Sequence, residues 1–418
     1  MGIFTGSSHR TNGDTHMGDG GFSTARLGRM HDVMARHVDR GEAPGLITAL
    51  SRRGETHVDV IGTKAVGGED PMRRDTIFRI ASMTKPVVAV AAMILVEECV
   101  LRLDDPVDRL LPELADRRVL RRIDGPLEDT VPAVRPITVR DLLTFRLGLG
   151  MLMGPQDAPM ARAVQELGVG AGMPDPASAP DPDEWMRRLG TLPLMHQPGE
   201  KWLYHTGSQV LGVLIARATG RPLEDFLRER IFAPLGMADT GFHVPPEKLG
   251  RLATSYLADP ETGKPERYDG VEDSRWATPP AFPDGGGGLV STVDDFLAFG
   301  RMMLDRGRYD GGGRILSRPS VELMTTDQLT PAQKAVSGLL PGAWDNLGWG
   351  FGVSVVTGRD GVAAVPGRFG WDGGLGTSWA SDPAEQMVAV LLTQRAQFPQ
   401  FSPVYLDFWT LAYQAIDD

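Results

Sequence analysis

The pattern of apolar and polar residues predicts β-strands near both ends of the chain and helices between them. Residues 45–52 and 55–62 alternate between apolar and polar positions and are joined by an Arg-Gly turn, which predicts a β-hairpin. Residues 22–40 carry an apolar stripe at helical spacing and are followed by Gly41, so they predict an amphipathic helix. Further runs typical of strands are 76–80, 348–357, 361–365, 376–381 and 387–394.

The order of these elements predicts an α/β (α+β) fold. Because strands occur near both ends, we expect one antiparallel sheet formed by both terminal parts of the chain, flanked by helices, with a mostly helical lobe inserted. We therefore expect a disordered leader at 1–21, an α/β sheet domain at 22–102 and 285–418, and a mostly helical domain at 103–284.

One stretch of the helical domain shows no sustained periodicity. Residues 151–183 are rich in Gly, Pro, Ala, Met and Asp. A loop of this length in a compact domain is usually functional or mobile. We therefore predict a lid-like loop that overhangs the site and shapes substrate access. The alternative is that its methionines, Met151, Met153 and Met160, fill a surface subdomain.

Composition and charge narrow the classes of function. The 418-residue chain has 41% hydrophobic and 23% charged residues, as globular proteins do, and its net charge of -11 argues against a nucleic-acid partner. Cys99 is the single cysteine, and the eight histidines lack metal-ligand spacing, so we predict neither a metal nor a cofactor. The N-terminus lacks the apolar core of a secretory signal, and no apolar window of about 18 residues occurs, so we predict a cytoplasmic protein without membrane contact.

Residues 76–96 contain the strongest candidate for chemistry. A short strand pattern gives way at Ser82 to an apolar, Ala-rich helix, which places Ser82 and Lys85 one turn apart on one helix face. The start of a helix offers free N–H groups and the positive end of its dipole. Since burial lowers the pKa of an amine, Lys85 is the candidate base and Ser82 the candidate nucleophile. The alternative is a capping serine beside a solvated lysine.

Tyr204 and a glycine-rich element provide further candidates. A phenol near the serine and lysine would be kept ionised by the ammonium and relay a proton to the leaving group, although an ordinary half-buried strand tyrosine is the alternative. The glycines of 369–377 either let a substrate lie against the backbone or form a tight turn. Another glycine-rich segment, 284–288, lacks the Gly-Lys-Ser/Thr ending of a phosphate-binding loop, so we interpret it as close backbone packing.

Three motifs in order resemble those of a known family. The motifs are Ser82-Met83-Thr84-Lys85, Tyr204-His205-Thr206 and Trp371-Asp372-Gly373. They are similar to the motifs of the serine β-lactamase and penicillin-binding-protein-like superfamily, on the side of the class C β-lactamases and family VIII carboxylesterases. The resemblance extends from about Leu27 to the C-terminus, and it implies a β-lactamase/transpeptidase-like fold.

The resemblance also implies a role for each matching residue. Ser82 would be the acylated nucleophile, with Lys85 and Tyr204 as the proton-handling pair. The backbone N–H groups of Ser82 and Gly374 would form the oxyanion hole, which stabilises the negative charge of the transition state. The implied substrate-binding residues are Thr206, Trp371, Asp372 and Gly373.

Departures from the lactamase pattern favour a neutral substrate. Trp371 and Asp372 stand where lactamases and peptidases offer a cation and a hydroxyl to the substrate carboxylate, and Thr206 replaces the usual Asn. Without that charge-assisted hydrogen bond, an anionic β-lactam should bind poorly. We therefore predict a serine hydrolase that cleaves small neutral esters through an acyl-enzyme. The alternatives are a β-lactamase or D-alanyl-D-alanine peptidase relative, an acyltransferase, and a non-catalytic binding scaffold.

Overall fold

The computed structural model describes residues 20–152, 157–338, 342–397 and 402–418. Residues 1–19 of the expected leader lie outside this part of the chain. The helices are α1 (Thr24–Asp39), α2 (Thr84–Glu97), α3 (Val139–Leu143), α4 (Pro159–Leu167), α5 (Pro182–Thr191), α6 (Thr206–Thr219), α7 (Leu223–Leu227), α8 (Ala233–Leu235), α9 (Val293–Leu304), α10 (Arg318–Met324), α11 (Pro331–Ala335) and α12 (Val404–Gln414). The strands are β1 (Gly45–Arg52), β2 (Glu55–Gly62), β3 (Phe78–Arg79), β4 (Arg118–Leu120), β5 (Thr130–Pro132), β6 (Ser255–Ala258), β7 (Pro265–Asp269), β8 (Val290–Ser291), β9 (Leu347–Trp349), β10 (Ser354–Val356), β11 (Phe369–Gly373), β12 (Thr377–Asp382) and β13 (Met387–Thr393).

Seven strands form one antiparallel sheet in the order β2-β1-β13-β12-β11-β10-β9. β1 pairs with β2 on one side, as the predicted hairpin, and with β13 on the other. In the second pairing Leu46 lies opposite Thr393 and Arg52 lies opposite Met387. Both terminal parts of the chain therefore form a single sheet, as the sequence pattern predicted.

Helices cover both faces of this sheet. α1 and α12 pack together on one face, while α9 packs against β1, β12 and β13 on the other. Successive residues of a strand point to opposite faces, so Leu46 and Leu50 join the core beneath α1 and α12, whereas Ile47 and Ala49 join the main core. All of β1 is consequently buried.

α2 runs through the main core and packs against α6 and α7. Residues Thr84 to Leu95 are all buried, because a helix that is apolar on every side is stable only in the interior. The turn that precedes α2 packs against β11 and β12. This packing places the start of α2 where the sheet meets the helices of the inserted lobe. No helix within the described ranges is long and apolar enough to cross a membrane.

Two of the predicted strands differ in the structure. Residues 348–357 form two strands, β9 and β10, because the chain turns sharply at Gly352, whose φ is +71°. A Cβ at Gly352 would lie 3.0 Å from the carbonyl oxygen of Lys85, so the turn is pressed against α2. Residues 361–365 form a turn instead of a strand, since the N–H of Ala364 bonds to the nearby carbonyl of Gly361.

The segment 151–183 contains a helix that the composition did not predict. α4 begins with a proline at its first position and ends at Gly168, whose φ of +64° is the left-handed conformation common at helix ends. Met160 is buried on this helix, whereas Met153 lies outside the described residues. The helix is nine residues long, too short for its periodicity to stand out among the glycines and prolines around it.

Candidate active site

Ser82 lies in a tight turn between β3 and α2. β3 is shorter than the predicted strand 76–80, and the chain then forms a 3₁₀ turn, Ala81–Met83, before α2 begins at Thr84. Ala81 has a φ of +45°, a conformation that costs energy in a residue other than glycine and is often found at functional sites. The helix thus starts two residues later than predicted, and Ser82 does not cap it.

Lys85 is buried next to Ser82. Its Nζ lies 2.8 Å from Ser82 Oγ, 2.5 Å from the carbonyl oxygen of Gly286 and 3.2 Å from Nδ1 of His205. Burial lowers the pKa of Lys85 to about 7, although the nearby Asp284 carboxylate acts to raise it. A large share of this lysine is therefore neutral near pH 7 and able to accept the serine proton. The structure brings the predicted nucleophile and base together.

Tyr204 joins this pair as a neutral phenol. Its hydroxyl accepts a 2.7 Å hydrogen bond from Trp371 Nε1 and lies near Ser82, while Lys85 Nζ lies 4.5 Å from the centre of its ring. Burial raises the pKa of Tyr204, against a lowering by Ser82 and Trp371. The expectation that the ammonium keeps the phenol ionised is therefore wrong, because the amine faces the ring and the phenol is shielded from water.

An aromatic cluster holds Tyr204 in place. The ring centroids of Trp202 and Phe145 lie 5.7 Å and 6.0 Å from that of Tyr204, and Trp349 meets Trp371 edge-on at 4.7 Å. Aromatic pairs of this kind each add about 0.5–1.5 kcal/mol beyond the burial of their surface. Trp371 therefore positions the phenol, a contact that its predicted role in substrate binding did not include.

Gly373 and Gly374 bring the end of β11 against the turn that holds Ser82. A Cβ at Gly373 would lie closer than 3.0 Å to the carbonyl oxygen of Ile80 and to Thr377 Oγ1, so only glycine fits there. A Cβ at Gly374 would meet no atom within 4 Å, so this residue borders open space. The pairing of the Ser82 and Gly374 N–H groups as an oxyanion hole is compatible with this placement and stays a prediction.

Asp372 is not brought to the candidate nucleophile. Successive residues of a strand point to opposite faces, so Asp372 lies on the face of β11 opposite to Trp371. Its carboxylate accepts a hydrogen bond from the hydroxyl of Ser378, which also accepts one from Trp409 Nε1 of α12 at 3.2 Å. Asp372 therefore lies on the face of β11 that is remote from Tyr204, and its contact with substrate stays a prediction.

Among the described residues, the side chain of Thr206 makes no hydrogen bond with Ser82, Lys85 or Tyr204. The neighbouring His205 instead contacts Lys85. Thr206 is buried in the first turn of α6. His205 is the centre of a γ-turn, with φ +87° and ψ −64°, in which the Thr206 N–H bonds to the Tyr204 carbonyl at 3.3 Å. This turn directs the imidazole toward Lys85. His205 was quoted within the second motif and given no role there, although a histidine directly after the motif tyrosine was an available signal.

Asp284 and Gln209 were likewise not predicted as site residues. Asp284 Oδ1 accepts a 2.7 Å hydrogen bond from the Gly286 N–H, and Asp284 Oδ2 lies 3.4 Å from Gln209 Nε2. Burial raises the pKa of Asp284, against the lowering effects of the Gly286 N–H and of Lys85. The close backbone packing predicted for 284–288 is confirmed, because a Cβ at Gly286 would lie 2.9 Å from His205 Nε2 and 3.1 Å from Asp284 Oδ1.

A cavity of about 640 Å³ lies beside the group formed by Ser82, Lys85 and Tyr204. His205, Gln209 and Asp284 line it next to Lys85, Phe282 adds an aromatic surface, and much of the remaining wall comes from 151–183. Within the described part of the chain, its lining contains no lysine or arginine. No group of three His, Cys, Asp or Glu side chains is arranged to hold a metal ion among the residues that the structure describes.

Comparison with known proteins identifies the family. The sequence model of the Beta-lactamase family matches residues 30–413, nearly the whole of the fold. The chain belongs to the Beta-lactamase family. The resemblance inferred from the three motifs is thereby confirmed.

Two curated proteins and one solved structure illustrate what this chain is similar to. Protein Rv1367c of Mycobacterium tuberculosis strain H37Rv is 42% identical over 364 residues, covering 85% of this chain and 87% of the relative. Esterase EstB of Burkholderia gladioli is 32% identical, covering 88% and 90%. The solved structure of EstCE1, described as a hydrolase with promiscuous acyltransferase activity, has a TM-score of 0.75 at 26% identity and covers 93% of this chain and 99% of its own. The predicted β-lactamase/transpeptidase-like fold is confirmed.

Proposed function

We propose that the protein is a serine hydrolase that cleaves small neutral carboxylic esters through an acyl-enzyme. The observation that carries this proposal is the 2.8 Å contact between Ser82 Oγ and the Nζ of the fully buried Lys85. A serine hydroxyl is a weak nucleophile until a neighbouring base takes its proton. A lysine whose pKa is about 7 supplies such a base near neutral pH.

In the proposed acylation, Ser82 Oγ attacks the ester carbonyl carbon while its proton passes to Lys85 Nζ. The carbonyl oxygen becomes an oxyanion, which the N–H groups of Ser82 and Gly374 would stabilise. The carbon–oxygen bond to the alkoxy group then breaks, and the alcohol leaves with the proton returned by way of the Tyr204 phenol. Water attacks the acyl-enzyme in the same manner, which releases the carboxylic acid and restores Ser82.

The charges around the cavity support a neutral substrate. Its described lining offers no lysine or arginine to a carboxylate, and Asp284 adds an acid next to the reaction centre. Trp371 occupies the place in the third motif where lactamases carry a cation. An anionic β-lactam would therefore meet a carboxylate without a compensating positive charge, which is unfavourable in a partly desolvated site. That EstB is named an esterase agrees with this choice.

Acyl transfer is a second candidate function. The description of EstCE1 as a hydrolase with promiscuous acyltransferase activity favours it, as does a cavity large enough for an alcohol beside the acyl group. An alcohol in the place of water would attack the acyl carbon of Ser82 and release a new ester. Addition of methanol to the assay separates the two functions, since a transferase forms the methyl ester at the expense of the free acid.

A comparison of substrate classes tests the proposal. Purified protein is assayed with p-nitrophenyl esters of increasing acyl length and with a chromogenic cephalosporin, and Ser82→Ala serves as the control. We expect ester cleavage that the Ser82→Ala variant has lost, together with slow or absent cephalosporin turnover. Fast cephalosporin turnover beside negligible ester cleavage would reverse the assignment of substrate class.

A further inference from the structure

The neutral amine of Lys85 must be oriented before it can accept a proton. A neutral amine has two N–H donors and one lone pair, and only the lone pair can take the proton of Ser82. Three groups surround Nζ, namely Ser82 Oγ at 2.8 Å, the Gly286 carbonyl oxygen at 2.5 Å and His205 Nδ1 at 3.2 Å. If the last two accept the N–H groups, the lone pair is left facing Ser82.

His205 is suited to be one of these acceptors. Burial lowers the pKa of His205 well below its usual value, and the positive charge of Lys85 lowers it further, so the imidazole is neutral. With its proton on Nε2, its Nδ1 accepts a hydrogen bond. A γ-turn at a residue other than glycine is strained and persists only where its surroundings enforce it. The strained backbone at His205 is therefore maintained by its surroundings, and in this conformation the imidazole faces the Lys85 amine.

We propose that His205 is a positioning residue for the base, because its Nδ1 and the Gly286 carbonyl together hold the Lys85 amine with its lone pair directed at Ser82. The inference rests on the proposed function, since this orientation matters only if Lys85 activates Ser82. It adds a residue that acts through the base and does not touch the substrate carbonyl.

Asp284 has a different effect on the same amine. The titratable groups that face Lys85 among the described residues are Tyr204, His205 and Asp284. The first two are neutral at pH 7, so Asp284 is the acid whose negative charge, when it is ionised, acts on the amine. Its carboxylate raises the pKa of Lys85 without holding the amine in a direction. Loss of Asp284 should therefore move the midpoint of the pH profile to lower pH, whereas loss of His205 should lower the rate even where Lys85 is fully neutral.

The test uses two substitutions at one position. His205→Gly removes the imidazole and relieves the positive φ, so the variant is expected to fold. His205→Asn retains an acceptor, its Oδ1, close to the place of Nδ1, and asparagine tolerates positive φ better than most residues. The readout is the rate of labelling by a fluorophosphonate probe from about pH 5 to about pH 9, the range in which a base of neutral pKa titrates. Labelling joins Ser82 Oγ to phosphorus, expels fluoride and passes the serine proton to Lys85.

We expect His205→Gly to be labelled at least about 10-fold more slowly than wild type on the high-pH plateau, a part of the 10²–10⁴-fold that general-base catalysis contributes. His205→Asn should regain most of this loss, and added imidazole should partly rescue His205→Gly. Equal plateau rates in His205→Gly and wild type would overturn the proposal. So would an Asn variant as slow as the Gly variant when both unfold at the temperature of wild type.

The probe also separates this inference from the proposed function. A wild-type protein that is labelled at Ser82 but cleaves no neutral ester would contradict the proposed substrate class and leave the test of His205 intact. Absence of labelling at Ser82 in wild type would overturn both, because the amine would then not activate the serine at all.

Discussion

At the scale of single residues, the site depends on a lysine that is buried without a direct ion pair to any residue that the structure describes. A buried ammonium is costly, and burial lowers the pKa of Lys85 to about 7 for this reason. The same burial keeps Tyr204 protonated, because its effect on an acid has the opposite sign. One desolvated environment thus prepares a proton acceptor and a proton donor side by side.

We predict that kcat/KM for ester cleavage rises with pH through a midpoint near 7, the pKa of Lys85 in the free enzyme. Below this pH the amine is protonated and cannot take the serine proton, and above it the neutral form dominates. Measurement from about pH 5 to about pH 9 covers the transition. Lys85→Arg is the control, because a guanidinium stays charged throughout this range and should leave little activity. A midpoint close to that of an ordinary lysine would contradict the role of Lys85 as the base.

Trp371→Phe tests the positioning of the phenol. The substitution keeps an aromatic ring and removes the 2.7 Å hydrogen bond to Tyr204. Such a bond contributes about 0.5–1.5 kcal/mol, so kcat should fall about 2- to 10-fold. Trp349→Phe is the matched control, since the Nε1 of Trp349 is buried and has no hydrogen-bond partner among the described residues. If both variants lose activity equally, ring packing and not the hydrogen bond positions Tyr204.

At the scale of elements, the sequence pattern predicted best those helices and strands whose contacts are formed by neighbouring residues. The hairpin of β1 and β2 has the bounds that the sequence predicted, because alternation and a short turn are local properties. β11 was not predicted as a strand, since its pairing with β12 cannot be read from its own residues. The start of α2 was placed two residues early, because the strained 3₁₀ turn is imposed by β11 and β12 packing against it.

Gly373→Ala and Gly374→Ala should differ in stability although they are neighbours. At Gly373 a methyl group would collide with the backbone of Ile80, so we expect the free energy of unfolding to fall by about 1–3 kcal/mol, as in overpacked cores. At Gly374 a methyl group meets no atom within 4 Å, so the melting temperature should stay close to that of wild type. Thermal unfolding of both variants measures the difference. Equal melting temperatures would show that β11 does not need to approach the nucleophile turn so closely.

At the scale of the whole molecule, the sequence predicted that the three motif segments meet. It did not predict which side chains of those segments face the nucleophile. The order of the motifs indicated that Ser82, Lys85 and Tyr204 converge, and they do. Asp372 could not be placed, because its face depends on the register of β11 in the sheet. His205 could not be identified either, because a γ-turn that aims it at Lys85 leaves no periodic signal in the sequence.

The ion pair between Arg79 and Asp269 also acts at the scale of the whole molecule. Arg79 of β3 precedes the nucleophile turn, Asp269 ends β7, and both side chains are buried, so the pair joins the sheet region to the inserted segment. Removing one partner of a buried pair leaves a charge uncompensated and typically costs 3–5 kcal/mol. Asp269→Asn should therefore lower the free energy of unfolding by about this amount. Asp273→Asn is the matched control, because its ion pair with Arg267 is exposed and such pairs contribute about 0–1 kcal/mol.

The contribution of this ion pair to the free energy of unfolding should depend on pH. Burial alone would raise the pKa of Asp269, but the charge of Arg79 and the surrounding hydrogen bonds hold it below its ordinary value. A carboxylate with a lowered pKa stabilises the fold above the pKa it has when unfolded, about 3.9, and loses that contribution as the pH falls through the folded value. Urea unfolding of wild type and Asp269→Asn should thus show a gap at neutral pH that narrows in acid. A gap of the same size for Asp273→Asn, or one that does not change with pH, would mean that the buried pair does not link the two regions.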